Sequence, residues 1–260
     1  MTESATTQQQ TQYKILLIGD DCLDVYQYGT VERISPEAPV PVFKYAYKEE
    51  RGGMARNVKS NLEELGCKVD YLSGNTSVKT RLIDLRSRQH ILRIDDDRAS
   101  EPIQFDTAIP DVYDAVVISD YNKGTVSYEL IEEIIQASGS GVKFPVFIDT
   151  KKTDLERFQG AWVKINELEY SKVKSECSGL IVTLGGNGAK AIYHDIKLPA
   201  VPVEVVDVCG AGDTFLSALT YEYLNTNSIG SAIKFAIKAS AITVKHNGVY
   251  APTLEEIMRV

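Results

Sequence analysis

The stretch Asp207-Val-Cys-Gly-Ala-Gly-Asp213-Thr-Phe215 stands at the start of an apolar segment with the character of a helix. A Gly-Ala-Gly run lets the backbone approach a ligand closely, because little or no side chain stands in the way. At a helix start, free N–H groups and the helix dipole favour a bound anion. A carboxylate beside that anion is repelled by it, so its presence indicates a function, such as taking a proton from a hydroxyl that attacks a phosphate. Asp213 as a simple helix N-cap is the alternative, and these nine residues alone do not separate the two.

Composition predicts one large soluble domain. The 260 residues are 43% hydrophobic and 25% charged, with a net charge of −8 that disfavours a nucleic-acid surface. No apolar run approaches the ~20 residues that span a bilayer, so we expect no membrane partner. Residues 1–12 are polar and rich in Gln and Thr, which predicts a disordered tail before a domain over 13–260. Scattered cysteines without zinc spacing indicate a reducing, cytoplasmic setting.

The rest of the chain alternates strand-like and helix-like segments. Continuous Val, Ile and Leu runs between helices predict an α/β fold with a mostly parallel sheet covered on both faces. Strands are expected at 14–18, 69–72, 115–119, 145–149, 162–166, 179–184, 189–193 and around Val205, and helices at 54–65, 128–137, 214–224 and 229–244. Residues 40–47 and 79–94 mix polar and apolar side chains, which predicts a small β lid over about 25–50 and 76–95.

Polar residues follow five of these strands. Ligands of such folds collect beyond the carboxyl ends of the strands, so a site is expected there. The five residues are Asp20, Asp120, Asp149, Asn166 and Thr183.

Three further motifs are each open to a structural and a functional interpretation. Gly52-Gly53 with Asn57 is typical of a turn, or of a backbone wall that meets a sugar. The segment from Thr183 to Gly188 suits a hairpin turn. Glu169 in Asn166-Glu-Leu-Glu169 is either a solvated helix residue or a ligand that holds magnesium through water.

Taken in order, the motifs resemble those of the ribokinase-like (PfkB-type) sugar kinases. The ordered set is Gly-Gly-x-x-x-Asn57, Asn166-x-x-Glu, Thr183-x-Gly-x-x-Gly and Asp207-x-x-Gly-Ala-Gly-Asp. Four more segments resemble those of the heptose-7-phosphate kinases of lipopolysaccharide synthesis. They are Gly19-Asp-x-x-x-Asp24, Arg33-Ile-Ser-Pro-Glu-Ala-Pro-Val-Pro-Val42, Ser119-Asp-Tyr-x-Lys-Gly124 and Ile148-Asp-x-Lys151. The resemblance covers about 13–258 and, we expect, a kinase domain only.

The resemblance implies that ATP phosphorylates a sugar hydroxyl, with Mg²⁺ and a monovalent cation such as K⁺ as cofactors. It implies that Asp213 is the general base and that Gly210, Ala211 and Gly212 form the anion hole. Sugar-binding positions are matched by Asp24, Gly52, Gly53 and Asn57. Positions near the nucleotide and its magnesium are matched by Asn166, Glu169, Thr183, Gly185 and Gly188. Asp207 matches a position near the monovalent cation.

A sugar that already carries a phosphate needs additional cations. On charge grounds the candidates for this phosphate are Lys79, Arg81, Arg93, Lys123 and Lys151. Taken singly, each fits a solvated surface charge better. Asp120, in the same motif as Lys123, is placed with the substrate-binding residues.

The chain also departs from the family pattern. Between Gly74 and Thr76 the family carries an extra helix and strand, and the segment from Tyr170 to Gly179 is shortened. Ile237 replaces an Asn that relatives place near the adenine. There are two alternatives to a heptose-phosphate kinase. One is a kinase for fructose, ribose or a nucleoside, and the other is an inactive homologue that binds sugar and nucleotide. The unpaired edges of a β lid and the habit of the family predict a homodimer through the lid.

Overall fold

A computed structural model describes residues 12–104, 112–139 and 144–260, so the predicted tail lies almost wholly outside the described residues. The strands are β1 (Lys14–Ile34), β2 (Pro41–Met54), β3 (Lys68–Asp84), β4 (His90–Asp96), β5 (Ala115–Asp120), β6 (Val146–Thr150), β7 (Trp162–Asn166), β8 (Leu180–Thr183), β9 (Ala189–Ala191) and β10 (Ile196–Leu198). The helices are α1 (Ala55–Glu64), α2 (Tyr128–Gly139), α3 (Glu167–Tyr170), α4 (Ala211–Thr226), α5 (Ile229–Thr243) and α6 (Leu254–Met258).

One sheet runs through the described chain in the order β10-β9-β8-β7-β6-β5-β1-β3-β4, with β2 paired to the outer part of β1. The six strands from β8 to β3 in that order are parallel. Antiparallel strands flank them, β9 and β10 at one edge and β4 at the other. The predicted ribokinase-like α/β architecture with a mostly parallel sheet is confirmed.

Helices cover both faces of the core part of the sheet, which explains why core strands such as β5 and β8 are mostly apolar. On β1, Ile15 and Leu17 pack towards α1, α4, α5 and α6. Leu16 and Ile18 point the other way, into a core with α2 and the 3₁₀ turn at Leu155–Phe158. All four side chains are at most 1% exposed.

The first strand continues far beyond the end that its sequence predicts. The predicted end of this strand at residue 18 was wrong, since β1 runs on to Ile34. The predicted short strand at 69–72 likewise merges into β3, which runs unbroken through residues 74–76. Each extension is stabilised by the other, because β1 and β3 pair from Lys14–Lys68 to Gly29–Asp84, and β2 and β4 flank them. We call residues 24–34 of β1 and 76–84 of β3, together with β2 and β4, the outer sheet.

The strand expected around Val205 is absent from the described structure. Residues 199–208 have no regular structure, and Val205 and Val206 are 56% and 61% exposed. The Val206 amide donates to the Val244 carbonyl at the end of α5 instead of to a strand. A run rich in valine resembles a buried strand in sequence, but here Val201, Val203, Val205 and Val208 line one wall of a cavity.

Close backbone approach at Gly19 joins β1 to β5 and α1. A Cβ on Gly19 would lie 2.3 Å from the Ser119 carbonyl oxygen and 2.7 Å from the Ala55 Cβ. The polar strand ends of β1 and β5 are therefore adjacent, at the edge where the sequence predicts a site.

We predict that Gly19→Ala lowers the free energy of unfolding by about 1–3 kcal/mol, since backbone atoms cannot move aside cheaply. Urea unfolding measures this. The matched control is Gly139→Ala, where no described residue lies within 4 Å of the added Cβ, and a change within about 0.5 kcal/mol is expected. Equal stabilities for the two variants would contradict the close packing at Gly19.

Candidate active site

Asp213 is the third residue of α4 and does not cap the helix. Gly210 is the N-cap, with φ 77°, and no side chain caps the helix. A Cβ on Gly210 would lie 2.8 Å from the Asn57 Nδ2, so both the left-handed backbone and the packing favour glycine there. The Asp213 side chain turns away from the helix N–H groups to partners on other elements.

The Asp213 carboxylate is buried between two hydrogen-bond donors. Asn57 Nδ2 donates to Oδ2 and the Tyr121 hydroxyl donates to Oδ1, both at 2.8 Å. Burial raises the pKa of Asp213 to about 6, and the nearby Asp149 charge adds to the rise. The two hydrogen bonds and the Lys164 charge oppose it. A carboxylate with a pKa near neutrality is suited to exchange a proton with a substrate.

Tyr121 owes its position to Asp20, which lies where the register of β1 against β3 shifts. The Asp20 carboxylate accepts the backbone N–H groups of Tyr121, Lys123 and Thr125 at 2.7, 3.1 and 3.3 Å. These three bonds shape the loop after β5 so that the phenol reaches Asp213. Sequence reasoning missed Tyr121, although it lies within a quoted motif, because nothing local indicates which group its hydroxyl meets.

Asn57 is positioned by a buried polar chain that links α1 to α4. Asn61 Nδ2 donates to the Asn57 carbonyl and Oδ1 at 2.8 and 3.2 Å. The Thr214 hydroxyl donates to Asn61 Oδ1 at 2.9 Å, and Thr243 of α5 donates to Thr214. The amide of Asn57 is thereby oriented with its NH₂ group towards Asp213.

A buried ion pair lies against the first turn of α4. Lys164 Nζ on β7 is 2.8 Å from Asp149 Oδ2 on β6, and the side chains are 4% and 5% exposed. A Cβ on Gly212 would lie 2.8 Å from this Nζ. Sequence reasoning placed Asp149 at a strand end and missed Lys164, since a lysine in a strand is ordinarily a surface residue.

Lys151 and Glu169 form a second ion pair beside Tyr121. Lys151 Nζ contacts Glu169 Oε1 and lies 4.9 Å from the centre of the Tyr121 ring. Glu169 also forms a capping box with Asn166 at the start of α3. Asn166 and Glu169, both predicted from the sequence, thus lie beside Tyr121, whose hydroxyl bonds to Asp213. The Glu169 carboxylate already has Lys151 as its ion-pair partner.

An apolar cavity of about 390 Å³ adjoins the other side of the α4 start. Most of its walls come from α5 and the valine-rich segment 199–208. The predicted nucleotide residues Thr183, Gly185 and Gly188 line it, together with Ala211, Gly212 and Ile237. Its size and apolar character suit a flat heterocycle with its phosphates directed at α4.

Asp24 lies on the inner face of the outer sheet. It forms an ion pair with Arg81, and the two side chains are 7% and 12% exposed. A Cβ on Gly53 would meet Asp24 Oδ2 at 2.4 Å, so glycine is needed where β2 passes this carboxylate. Gly52 makes room in the same way for the Arg56 side chain.

The candidate cations divide into two groups. Lys79 and Arg81 are two residues apart on β3, so their side chains lie on the same face of the outer sheet. The pairing of β1 with β3 places Lys79 opposite Asp24. Arg93 and Lys123 form ion pairs at more exposed positions, with Asp95 and Asp97 at 2.7 Å each.

Asp120 is occupied by contacts within the fold. Its Oδ2 accepts from the Thr150 hydroxyl at 2.6 Å and from Lys152 Nζ at 2.8 Å, and its Oδ1 accepts from the Asn122 amide at 2.9 Å. These bonds hold the loop that carries Tyr121, which gives Asp120 a structural role whether or not it meets a substrate.

Among the described residues, no three His, Cys, Asp or Glu side chains converge as metal ligands. Both oxygens of Asp207 accept backbone amides, from Cys209 and from Gly248, at 2.9 Å. Within the same residues, none of the helices has the length and apolar character to cross a bilayer.

Comparison with known proteins identifies the family. The family model for pfkB carbohydrate kinases matches residues 76–257, which is more than half of the chain. The chain belongs to the pfkB family of carbohydrate kinases. It is a phosphotransferase that acts on a sugar hydroxyl, and kinases of this family use ATP and a divalent metal ion.

Two curated relatives match nearly the whole chain. The bifunctional protein HldE of a Nitratiruptor species is 33% identical over 94% of this chain and 64% of its own length. The D-beta-D-heptose 7-phosphate kinase of Bordetella bronchiseptica is 30% identical over 94% of this chain and 95% of its own length. The chain spans less than two thirds of the bifunctional relatives that it matches.

The fold has solved counterparts. The Arabidopsis thaliana ribokinase, complexed with ribose and ATP, superposes with a TM-score of 0.69 at 14% identity and covers 95% of this chain and 98% of its own. The alignments with the curated relatives run over about 300 positions although the chain has 260 residues. The relatives therefore carry residues that this pfkB kinase lacks.

We predict that Asp213→Asn stabilises the kinase at pH 8. The pKa of Asp213 rises from 3.8 to about 6 on folding, so its stabilising contribution is complete below about pH 4 and lost as the pH rises through 6. Asparagine removes this cost, which is roughly 3 kcal/mol at pH 8. Urea unfolding of the variant and the wild type at pH 8 and pH 4 tests it. Equal stabilities at pH 8 would show that Asp213 is not penalised by burial.

Proposed function

We propose that this kinase transfers the γ-phosphoryl group of ATP to a hydroxyl of a sugar phosphate, D-glycero-D-manno-heptose 7-phosphate, and gives the 1,7-bisphosphate. The observation that carries the proposal is the buried Asp213 carboxylate beside the glycine-rich start of α4. The name of the Bordetella bronchiseptica relative supplies the substrate class. The match to the family model identifies the family, whereas the proposed reaction depends on the roles of these individual residues.

In the proposed reaction Asp213 is the general base. The acceptor hydroxyl donates to an Asp213 oxygen and passes its proton there as its oxygen attacks the γ-phosphorus. The bond between that phosphorus and the β,γ-bridging oxygen breaks, and ADP leaves with the bonding electrons. Asn57 and Tyr121 keep the carboxylate oriented and stabilise its charged form before the transfer.

The amides of Gly210, Ala211 and Gly212 are the proposed anion hole. They open the first turn of α4, where N–H groups lack partners within the helix and the dipole favours negative charge. Charge spreads over the equatorial oxygens of the transferring group, and preorganised donors stabilise it there. The adjoining cavity with Thr183, Gly185 and Gly188 is the proposed nucleotide pocket.

Oxygen donors for magnesium are present but few. Asn166 and Glu169 offer the amide and carboxylate oxygens that Mg²⁺ accepts, and Glu169 would reach the ion through water. The bound ion would offset the charge of the nucleotide phosphates. The monovalent-cation site at Asp207 stays a prediction, since its carboxylate also holds the backbone of its own loop.

The inner face of the outer sheet is the proposed site for the phosphate already on the sugar. In one cross-strand row Asp24 lies between Arg51 and Lys79. In the next row Tyr26 lies opposite Arg81, whose guanidinium is 5.1 Å from the ring centre. Alternating carboxylate and cation suit a ligand with both hydroxyls and a phosphate.

Arg93 and Lys123 are the outlying members of the proposed phosphate site, because each has an acidic neighbour at an exposed position. The outer sheet also offers unpaired edges and exposed apolar side chains at Tyr45, Leu92 and Ile94. A homodimer through this sheet and a cytoplasmic location stay predictions.

A substrate panel tests the proposal. We expect ADP release with heptose 7-phosphate to exceed that with fructose, ribose, nucleosides and unphosphorylated heptose by at least about 100-fold in kcat/KM, which corresponds to the loss of one or two charge-assisted contacts. NMR of the product should show a second phosphate at the anomeric carbon. Turnover confined to unphosphorylated sugars would reject the heptose-phosphate assignment.

The control within this assay is Asp213→Asn. Loss of the base should lower turnover by roughly 10²–10⁴ while ATP binding is kept. Near-wild-type turnover in this variant would reject Asp213 as the base, whichever sugar is phosphorylated.

We expect kcat/KM to fall as the pH drops below about 6, because Asp213 then takes up a proton. Tyr121→Phe removes a donor to the charged carboxylate and should move this limb up by about one pH unit. The matched control is Tyr71→Phe, which removes a similar hydroxyl from Asp21, 3.0 Å away, and should leave the limb in place. An unmoved limb in Tyr121→Phe would show that this contact does not tune the base.

A further inference from the structure

The ion pair of Lys164 and Asp149 is unusual in its depth and in its place. Both side chains are at most 5% exposed, although they form a pair at the carboxyl edge of the sheet. Burial of two charges costs several kcal/mol per ion, and their mutual attraction repays this only in part. A structural purpose alone would be served as well by two apolar residues of similar volume.

The ammonium of Lys164 lies next to Gly212, which belongs to the turn that forms the proposed anion hole. A side chain at Gly212 would begin 2.8 Å from Lys164 Nζ and 3.8 Å from Asp149 Oδ2. Glycine at this position therefore does more than free the backbone for an anion. It admits a second, charged donor to the same turn of α4.

The pair is incompletely satisfied. An ammonium has three N–H donors, and within the described part of the chain Lys164 Nζ makes one hydrogen bond, to Asp149 Oδ2. In the same residues Asp149 Oδ1 is buried without a partner. Buried donors ordinarily find acceptors, so unused donors at an anion site indicate that a ligand supplies them.

The charges around Lys164 also support a role in binding a negatively charged ligand. Asp149 is close enough for its negative charge to raise the pKa of Asp213, and Glu169 lies in the same group with its partner Lys151. A phosphoryl group arriving here adds further negative charge. Lys164 is a buried cation beside Gly212, and its positive charge acts on Asp213.

We propose that Lys164 is a further catalytic residue, which donates a hydrogen bond from Nζ to a non-bridging oxygen of the transferring phosphoryl group, and that Asp149 is its positioning residue. The proposal rests on the proposed role of the α4 start as the anion hole. This hydrogen bond transfers no proton, so the proton balance of the reaction is unchanged. Its contribution grows as negative charge accumulates on the equatorial oxygens.

The test uses Lys164→Met in the full chain, with two readouts. We expect kcat to fall by about 10²–10³, the cost of removing one preorganised donor to a developing charge. Calorimetry should show that the preference for the β,γ-imido analogue of ATP over ADP falls by about 10-fold, since the lost contact is to the terminal phosphate. Turnover and preference both within threefold of the wild type would overturn the proposal.

A second variant separates catalysis from folding. Lys164→Met leaves Asp149 as an uncompensated buried charge, which alone can unfold the protein. Lys164→Met with Asp149→Leu removes both charges and should restore the melting temperature. We expect turnover and the preference for the triphosphate analogue to stay low in this double variant. Recovery of both would show that the pair is only structural.

Failure of this proposal is distinguishable from failure of the proposed function. The assay takes whichever sugar supports turnover in the wild type, so it does not depend on the heptose assignment. The calorimetric preference does not depend on turnover at all. Loss of function in Lys164→Met with retained function in Asp213→Asn would reject the base and keep Lys164, and the reverse result would reject Lys164 alone.

Discussion

The burial of one ionisable carboxylate, Asp213, is the constraint on which the site depends. A carboxylate with 4% exposure is unfavourable unless donors compensate it. Here the donors come from both sides, Asn57 on α1 and Tyr121 on the loop after β5. Each is fixed by a further layer, the polar chain through Asn61 and the three amides held by Asp20. The sheet edge, two helices and a loop are therefore tied to the position of one side chain.

The same constraint accounts for the charges around the site. Asp149 would repel Asp213, and the buried Lys164 offsets both. Lys151 does the same for Glu169. The proposed site for the sugar phosphate depends on a separate feature, the extension of β1 and β3 from the core into the outer sheet. The strands that carry Asp24 and Arg81 are the same strands that start in the core sheet.

Much of the fold could be predicted from local sequence, because buried parallel strands and amphipathic helices leave a clear pattern. The starts of β5 and α2 agree with it. The long β1 could not be predicted, since its outer half is stabilised by partners remote in sequence. Glycine-rich segments predicted the α4 start, whereas Tyr121 and Lys164 were missed. Their roles arise from contacts across 92 and 15 positions of the chain, which no local pattern records.

We propose that Asp213 is a base whose proton affinity is set by burial. The most direct measurement is a carbon-13 NMR titration of the Asp213 carboxyl in the wild type, with Asp213→Asn used to assign the signal. We expect a midpoint at about pH 6. A midpoint at or below about pH 4, the ordinary range of an exposed aspartate, would contradict it.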